Sequence, residues 1–381
     1  MKINLVVYFT RGVSLQVWEA VGMFEREVAL YQRLQKYGVN ITFVTYGGIK
    51  DLELAKRVPG IRVICNRWGW KKERYIWWIT SFFPWLGRRR PQIIKSNQFS
   101  GAEIALIAAR QVGARFVARG GNIPSFQLSR QEGSESQLAR EAIMIEKEVL
   151  PVADKVVVTT ALMAQMVKEQ YDVPSSKVVI IPNYVVTNVF TPAQTNHGST
   201  PRRLCFIGRL EKQKNLLALL TALKGLDVTL DIVGSGSLRG KLETIAEKNN
   251  LQVNFLGNIS NFNLPDVISA ADIYIQPSLY EGHPKTIIEA MACGVAVIAG
   301  DSPGIHDLIT HRQNGFLCDT TSEGIRAAVV DVLADPDLRR RMGEAARQYA
   351  VHNFSLERVV EMELKLYQEL ISKHKEKNEL S

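Results

Sequence analysis

Short apolar runs alternate with amphipathic stretches along nearly the whole chain, and this alternation restricts the fold more than any other feature. In the first half the runs fall at residues 3–9, 40–45, 61–65, 92–96, 115–118, 155–159 and 178–181; in the second, at 203–208, 229–234, 253–257, 272–277 and 295–299. Between them, Val17, Val21, Phe24, Val28, Tyr31 and Leu34 recur at helical spacing and predict one helix over 17–37. A charged helix is expected over 136–150, stopped by Pro151, and a long amphipathic helix from Ser355 with a charged tail from Lys373. Strands that alternate with helices build parallel sheets covered on both faces. A chain of 381 residues exceeds one typical core and divides naturally in two. Thr191 to Pro201 is polar and aperiodic, as linkers are. The expectation is α/β, two doubly wound Rossmann-like domains, 1–190 and 191–354, with the last helix at 355–381.

Charge separates the halves. Residues 1–190 hold 26 Lys and Arg against 15 Asp and Glu, whereas 191–381 hold 21 against 23. An anionic partner is therefore a question about the first half. Cys65, Cys205, Cys293 and Cys318 form no CxxC pair, which fits a reducing cytoplasm. Met1 to Phe9 reads as a buried first strand rather than a signal peptide, and no run of 18 apolar residues predicts a membrane span.

Ser278 to Gly294 joins two apolar runs, so it reads as strand, loop, helix, strand. Pro284 is placed as the first helical residue and Gly294 as the terminator. Glu281 then lies in the loop at a strand's carboxyl end, where parallel sheets bind ligands, and Glu289 in the helix. Carboxylates there suit sugar or ribose hydroxyls.

Gly208-Arg-Leu-Glu-Lys-Gln-Lys-Asn-Leu216 also follows a strand and opens a helix. Arg209 and Lys214 are placed for a pyrophosphate, with Gly208 allowing close backbone approach; a solvated basic turn is the plainer alternative. Gly234-Ser-Gly236 begins a strand-to-helix turn that matches neither a Walker A loop nor GxGxxG. Asp335-Pro336 is a helix cap rather than half of a metal-binding Asp-x-Asp pair, and the histidines lack zinc-ligand spacing, so no metal site is expected.

Residues 67–91 contain five of the six tryptophans and seven basic residues. Trp77, Trp78 and Trp85 with Arg88, Arg89 and Arg90 have the composition of a segment at a lipid headgroup boundary. A buried helix with a basic cap, or an aromatic acceptor cleft, fits the same residues. No nucleic-acid module is present, so no nucleic-acid partner is expected.

With these segments in view, the chain resembles a family 4 glycosyltransferase, a retaining enzyme of GT-B fold whose two Rossmann-like domains face a central cleft. The similarity spans nearly the whole chain and is strongest from Val178 to Phe354. Ile181-Pro-Asn183 through Phe190 resembles the family's "IPNGVD…F", residues 206–216 its "GRL…KN", Val233 to Gly236 its "VGxG", and Glu281 to Glu289 its Glu-x7-Glu signature. Asn314-Gly-Phe-Leu continues the pattern.

The resemblance implies a retaining, metal-independent, hexosyltransferase-type enzyme without a cofactor. It would move a sugar from a UDP-, GDP- or ADP-linked donor to a glycan or lipid-linked acceptor, in surface polysaccharide or glycolipid biosynthesis. Residues 1–190 would bind the acceptor, 191–354 the donor, and helix 355–381 would pack back on the first domain. Arg209, Lys214 and Glu281 would carry catalysis, the first two on the diphosphate. Glu289 would hold the ribose, and Glu281 with the backbone after Gly282 the transferred sugar. His283, Pro284, Lys285, Thr286, Gly208, Gly234 and Gly236 complete the implied donor site, with Asn258 and Ile259 beside the base and Gly12 facing the donor. Relatives often carry a histidine where this chain has Arg119-Gly-Gly-Asn122, and Arg119 and Asn122 become acceptor-side candidates. The implied location is cytoplasmic, at the inner face of the membrane. A GT-B-shaped epimerase and a non-catalytic carbohydrate-binding relative are the other readings; intact Arg209, Lys214, Glu281 and Glu289 argue against the latter.

Overall fold

The computed structural model describes residues 2–82, 90–193 and 202–379, the side chains of 373–379 apart. The chain divides into two compact units, Met1–Pro182 with Val359–Ser381, and Asn183–Arg358. The division falls ahead of residue 190 because Val185 and Phe190 are buried in the second unit's core. There the Val185 N–H donates to Phe354 O (2.8 Å) and the Leu356 N–H to Val185 O (3.0 Å). Residues 194–201 of the expected linker lie outside the described residues.

The first unit holds β1 (Ile3–Tyr8), β2 (Val39–Val44), β3 (Arg62–Ile64), β4 (Ile93–Ser96), β5 (Arg115–Arg119), β6 (Lys155–Val158) and β7 (Val178–Ile180). They form one parallel sheet in the order β3-β2-β1-β4-β5-β6-β7. The run expected over 17–37 is two helices, Leu15–Ala20 and Phe24–Lys36. Gly22, at φ 71°, breaks them, a left-handed conformation open to glycine. The second helix buries the expected face, Phe24, Val28, Tyr31 and Leu34, but Val17 and Val21 are exposed; the first helix packs through Leu15 and Trp18 instead, because the break at Gly22 resets the helical register.

The final helix, Leu356–Glu379, contributes a buried ion pair to this unit. Glu363 pairs with Lys95 of β4, and Lys95 Nζ also donates to Tyr367 Oη (3.2 Å). All three are at most 3% exposed. Burial draws the Lys95 pKa down while the Glu363 carboxylate pulls it up.

The second unit holds β8 (Arg202–Ile207), β9 (Val228–Val233), β10 (Gln252–Gly257), β11 (Ile273–Gln276), β12 (Ala296–Gly300) and β13 (Phe316–Cys318). These strands are also parallel, in the order β10-β9-β8-β11-β12-β13. β13 was not foreseen, since three residues are too few for periodicity to register. Helix Lys285–Ala292 begins one residue later than expected: Pro284 is its extended N-cap (φ −71°, ψ 105°). Gly294, at φ 71°, follows its end. Asp335 caps Pro336–Phe354 as expected, accepting the Leu338 N–H at 2.8 Å.

Breaking the Lys95–Glu363 pair strands one buried charge. Glu363→Leu alone is expected to cost roughly 3–5 kcal/mol, whereas pairing it with Lys95→Met should restore most of that loss. Urea denaturation of the single and double variants measures both.

Candidate functional site

Strand order reverses between β8 and β11, and such reversals open a crevice at the strands' carboxyl ends. The loops that leave those ends are tied together. Leu279 N–H donates to Gln213 O (2.9 Å), and Gln213 Nε2 to Tyr280 O (2.7 Å). Lys214 ends the short 3-10 turn Lys212–Lys214; Asn215 then turns left-handed (φ 58°) to start helix Leu216–Ala222. This geometry directs Lys214, nearly buried, to the Glu281 carboxylate, where its ammonium pairs with Oε1.

That oxygen has a second donor. Gln276, the last residue of β11 and fully buried, donates from Nε2 to Glu281 Oε1 at 2.8 Å. Its own Oε1 accepts from Tyr274 Oη (2.7 Å) and Thr286 Oγ1 (2.9 Å). Burial raises the Tyr274 pKa well above its ordinary value, so the phenol stays neutral and able to donate. Arg209 is exposed. Two positions on, the Glu211 carboxylate accepts from Ser237 N–H (2.9 Å) and Oγ (2.7 Å), which lowers its pKa.

Gly234 and Gly236 act as spacers between turns. Gly234 sits at φ 127°, and a Cβ there would collide with Gly208 O; one on Gly236 would lie 2.5 Å from Leu210 O. Leu210 N–H donates to Ser235 O (2.9 Å) and Leu238 N–H to Leu210 O (3.0 Å), fastening the two turns. A third segment supports Glu281: its N–H donates to Pro303 O (2.9 Å), and Gly304, at φ 81°, packs where a Cβ would strike the Glu281 carbonyl.

Glu289 is fully buried, and its Oε1 accepts from Asn261 Nδ2 (2.8 Å). It lies on a helix, Lys285–Ala292, buried from Ile287 to Ala292. His283 is engaged by Asn183, which donates from its N–H to Nδ1 (3.2 Å) and from Nδ2 to the His283 carbonyl (2.7 Å). With Phe354 edge-on at 5.2 Å, the imidazole is a packing element. Asn258 is exposed, Ile259 packs against the core, Pro284 is buried, and Gly282, Lys285 and Thr286 are half-buried.

In the first unit the order reverses between β1 and β4. Gly12 (φ 80°) is exposed in the turn after β1, closed by Val13 N–H to Thr10 O (2.9 Å). Arg119 ends β5, with its N–H on Ser96 Oγ (3.1 Å) and Nη1 on Asn97 O (3.2 Å). Asn122 donates to Gln127. Of the tryptophan candidates, Trp77 is 56% exposed, but Trp78 packs against Tyr75, Trp68 and Trp70. Arg90 donates from Nη2 to Val112 O (2.8 Å), at the end of helix Ala102–Val112. Trp85, Arg88 and Arg89 lie outside the described residues. Exposed Trp68 and Phe82, at 44% and 49%, had not been singled out.

Gln276, Gln213 and Asn261 were missed altogether. Only Gln276 left a signal, a carboxamide closing the otherwise strand-like run Ile273-Tyr-Ile. Among the described residues no three His, Cys, Asp or Glu side chains gather to hold a metal, and all four cysteines are buried thiols.

Two doubly wound units, with a lysine–carboxylate–amide network at the strand reversal of the second, define an α/β ligand-binding architecture of the Rossmann type. Known proteins sharpen this. Residues 27–189 match "Glycosyltransferase Family 4" and residues 190–349 match "Glycosyl transferases group 1". Glycogen synthase of Mycobacterium tuberculosis is 25% identical over 287 residues, 73% of this chain and 69% of that protein. Alpha-maltose-1-phosphate synthase of Mycolicibacterium smegmatis is 26% identical over 257 residues, 59% of this chain and 66% of that protein. Among solved structures, sucrose-phosphate synthase from Thermosynechococcus elongatus superposes with TM-score 0.82 at 20% identity, over 98% of this chain and 100% of that one. Anabaena HepE in complex with UDP-glucose gives 0.76 at 17%, over 97% and 100%. The structural likenesses establish the fold, GT-B. The chain belongs to the group 1, family 4 glycosyltransferases, and its donor is a nucleotide sugar.

Gly234→Ala should push the Gly208 turn away and strain φ, costing about 1–3 kcal/mol. Gly12→Ala, whose added methyl meets nothing within 4 Å, should cost less despite φ 80°. Thermal melts of the two variants give the comparison.

Proposed function

We propose that the protein transfers a hexose from a nucleoside diphosphate sugar to a glycan or lipid-linked acceptor with retention at the anomeric carbon, in surface polysaccharide or glycolipid synthesis. The observation that carries this reading is the Lys214–Glu281 pair at the strand reversal of the second unit. Its charges match the two ends of the donor: an ammonium for the diphosphate, a carboxylate for sugar hydroxyls. Arg209, exposed one residue past Gly208, adds a second cation for the phosphates.

In this reading the anomeric carbon–oxygen bond to the diphosphate breaks, and the acceptor oxygen bonds to that carbon from the same face. The acceptor's proton passes to the departing phosphate oxygen. Negative charge grows on the diphosphate as the bond breaks, so Lys214 and Arg209 bind the transition state more tightly than the ground state. Glu281 holds the sugar, and Glu289 takes a ribose hydroxyl in exchange for Asn261. The first unit binds the acceptor, with Arg119 and Asn122 near its own strand reversal, and Gly12, in the turn after β1, faces the donor.

Lys214→Ala and Arg209→Ala should each lower turnover about a hundredfold or more on charge-stabilisation magnitudes. Nucleotide release is measured with UDP-glucose, GDP-mannose and ADP-glucose, and product NMR reports the anomeric configuration. Full activity in both variants, or an inverted product, would reject the corresponding part of the mechanism.

A second reading concerns location. Trp68, Trp77 and Phe82 are exposed around helix Lys72–Ser81, beside exposed Arg67, Lys71, Lys72 and Arg74. Aromatic rings with interleaved cations suit an anionic membrane surface, at the cytoplasmic face. Among the described residues no helix is long and apolar enough to cross a membrane. The triple substitution Trp68→Ala, Trp77→Ala, Phe82→Ala should reduce sedimentation with phosphatidylglycerol vesicles severalfold; unchanged partitioning would count against membrane contact.

A further inference from the structure

Glu281 is nearly buried and held by two donors on one oxygen, the Lys214 ammonium and the Gln276 amide. If Lys214 turns to a donor diphosphate, the carboxylate loses its counter-charge in a place with little water. A buried carboxylate without hydrogen bonds is costly, and its simplest escapes are to take a proton or swing away. Gln276 is built to prevent both. Its Oε1 accepts from Tyr274 and Thr286, and its Nε2 faces Glu281. The amide orientation has a physical cause. Flipped, the amide would set its own oxygen against the carboxylate, whereas both hydroxyls readily donate to Oε1.

We propose that Gln276 is a positioning residue: it keeps Glu281 ionised and aimed at the sugar while Lys214 moves from Glu281 to the diphosphate. The Lys214–Glu281 pair is then the starting point of a relay in which the lysine changes partner and the carboxylate does not. Glu281 Oε1 stays on the amide, leaving Oε2 to accept a sugar hydroxyl. This rests on the donor-site reading above.

The informative variant is Gln276→Glu. It keeps an acceptor for Tyr274 and Thr286 and removes only the N–H donor, setting a carboxyl against Glu281. Two adjacent carboxyls share a proton with a raised apparent pKa. At low pH the shared proton restores a donor–acceptor bond; at high pH the two charges repel. Nucleotide release from UDP-glucose, GDP-mannose or ADP-glucose, whichever the wild type uses, should therefore fall about ten- to a hundredfold in Q276E at pH 8. It should recover toward wild type as pH falls to 6, with UDP, GDP or ADP affinity by calorimetry changed less than turnover. Gln276→Leu supplies the companion measurement, with a thermal melt to verify folding. Because Gln276 acts through Glu281, Q276L should cost much less in an E281Q background than alone.

Equal costs of Q276L in both backgrounds, or a Q276E pH profile parallel to wild type, would overturn the relay and leave the donor site standing. If the wild type binds none of the three nucleotides, the donor-site reading falls and the relay with it.

Discussion

Parallel strands buried on both faces admit polar side chains along their length only where each is partnered, so chemistry concentrates in the loops at their carboxyl ends. In the second unit this constraint is met by backbone contact. The turns after β8 and β9 touch because Gly234 and Gly236 carry no side chain, and the loop after β11 is laced to the first through Gln213. Lys214 and Glu281 can meet only because these loops are held at that distance. Everything proposed about the donor follows from that meeting.

The same constraint explains which polar residues penetrate the sheets. Gln276 is accommodated at the end of β11 because each polar atom of its amide has a partner, from Tyr274, Thr286 or Glu281. Lys95 is accommodated at the end of β4 because Glu363 and Tyr367 meet it from the final helix. One network belongs to the candidate site, and the other fastens the chain's last helix to its first unit. Both are buried, so both are intolerant of losing a single partner.

Family membership and geometry constrain different parts of the function. The family matches establish sugar transfer from an activated donor. The geometry shows what each proposed site residue touches before a donor arrives. Glu289 and His283 fall within a familiar stretch, yet one is buried on Asn261 and the other is tied to Asn183. Shared spacing places a residue on an element without saying which way the element faces.

Much was legible in the sequence by itself. Apolar runs located twelve strands to within a residue at each end, since both faces of a parallel strand must be apolar whatever packs on them. The Gly208 and Ser278 loops were placed at strand ends for the same reason. What periodicity could not register was short or discontinuous: three-residue β13, the break at Gly22, and the division at Pro182, where Val185 and Phe190 are claimed by a core formed far along the chain. The partners of Glu281 were decided only in three dimensions. Strand order brings β11 beside β8, and so sets Lys214 against a carboxylate 67 positions away. Hydrogen bonding then selects Gln276 as its second donor. Local patterning determines elements because it follows from neighbours in the chain; the site depends on strand order, which no local pattern encodes.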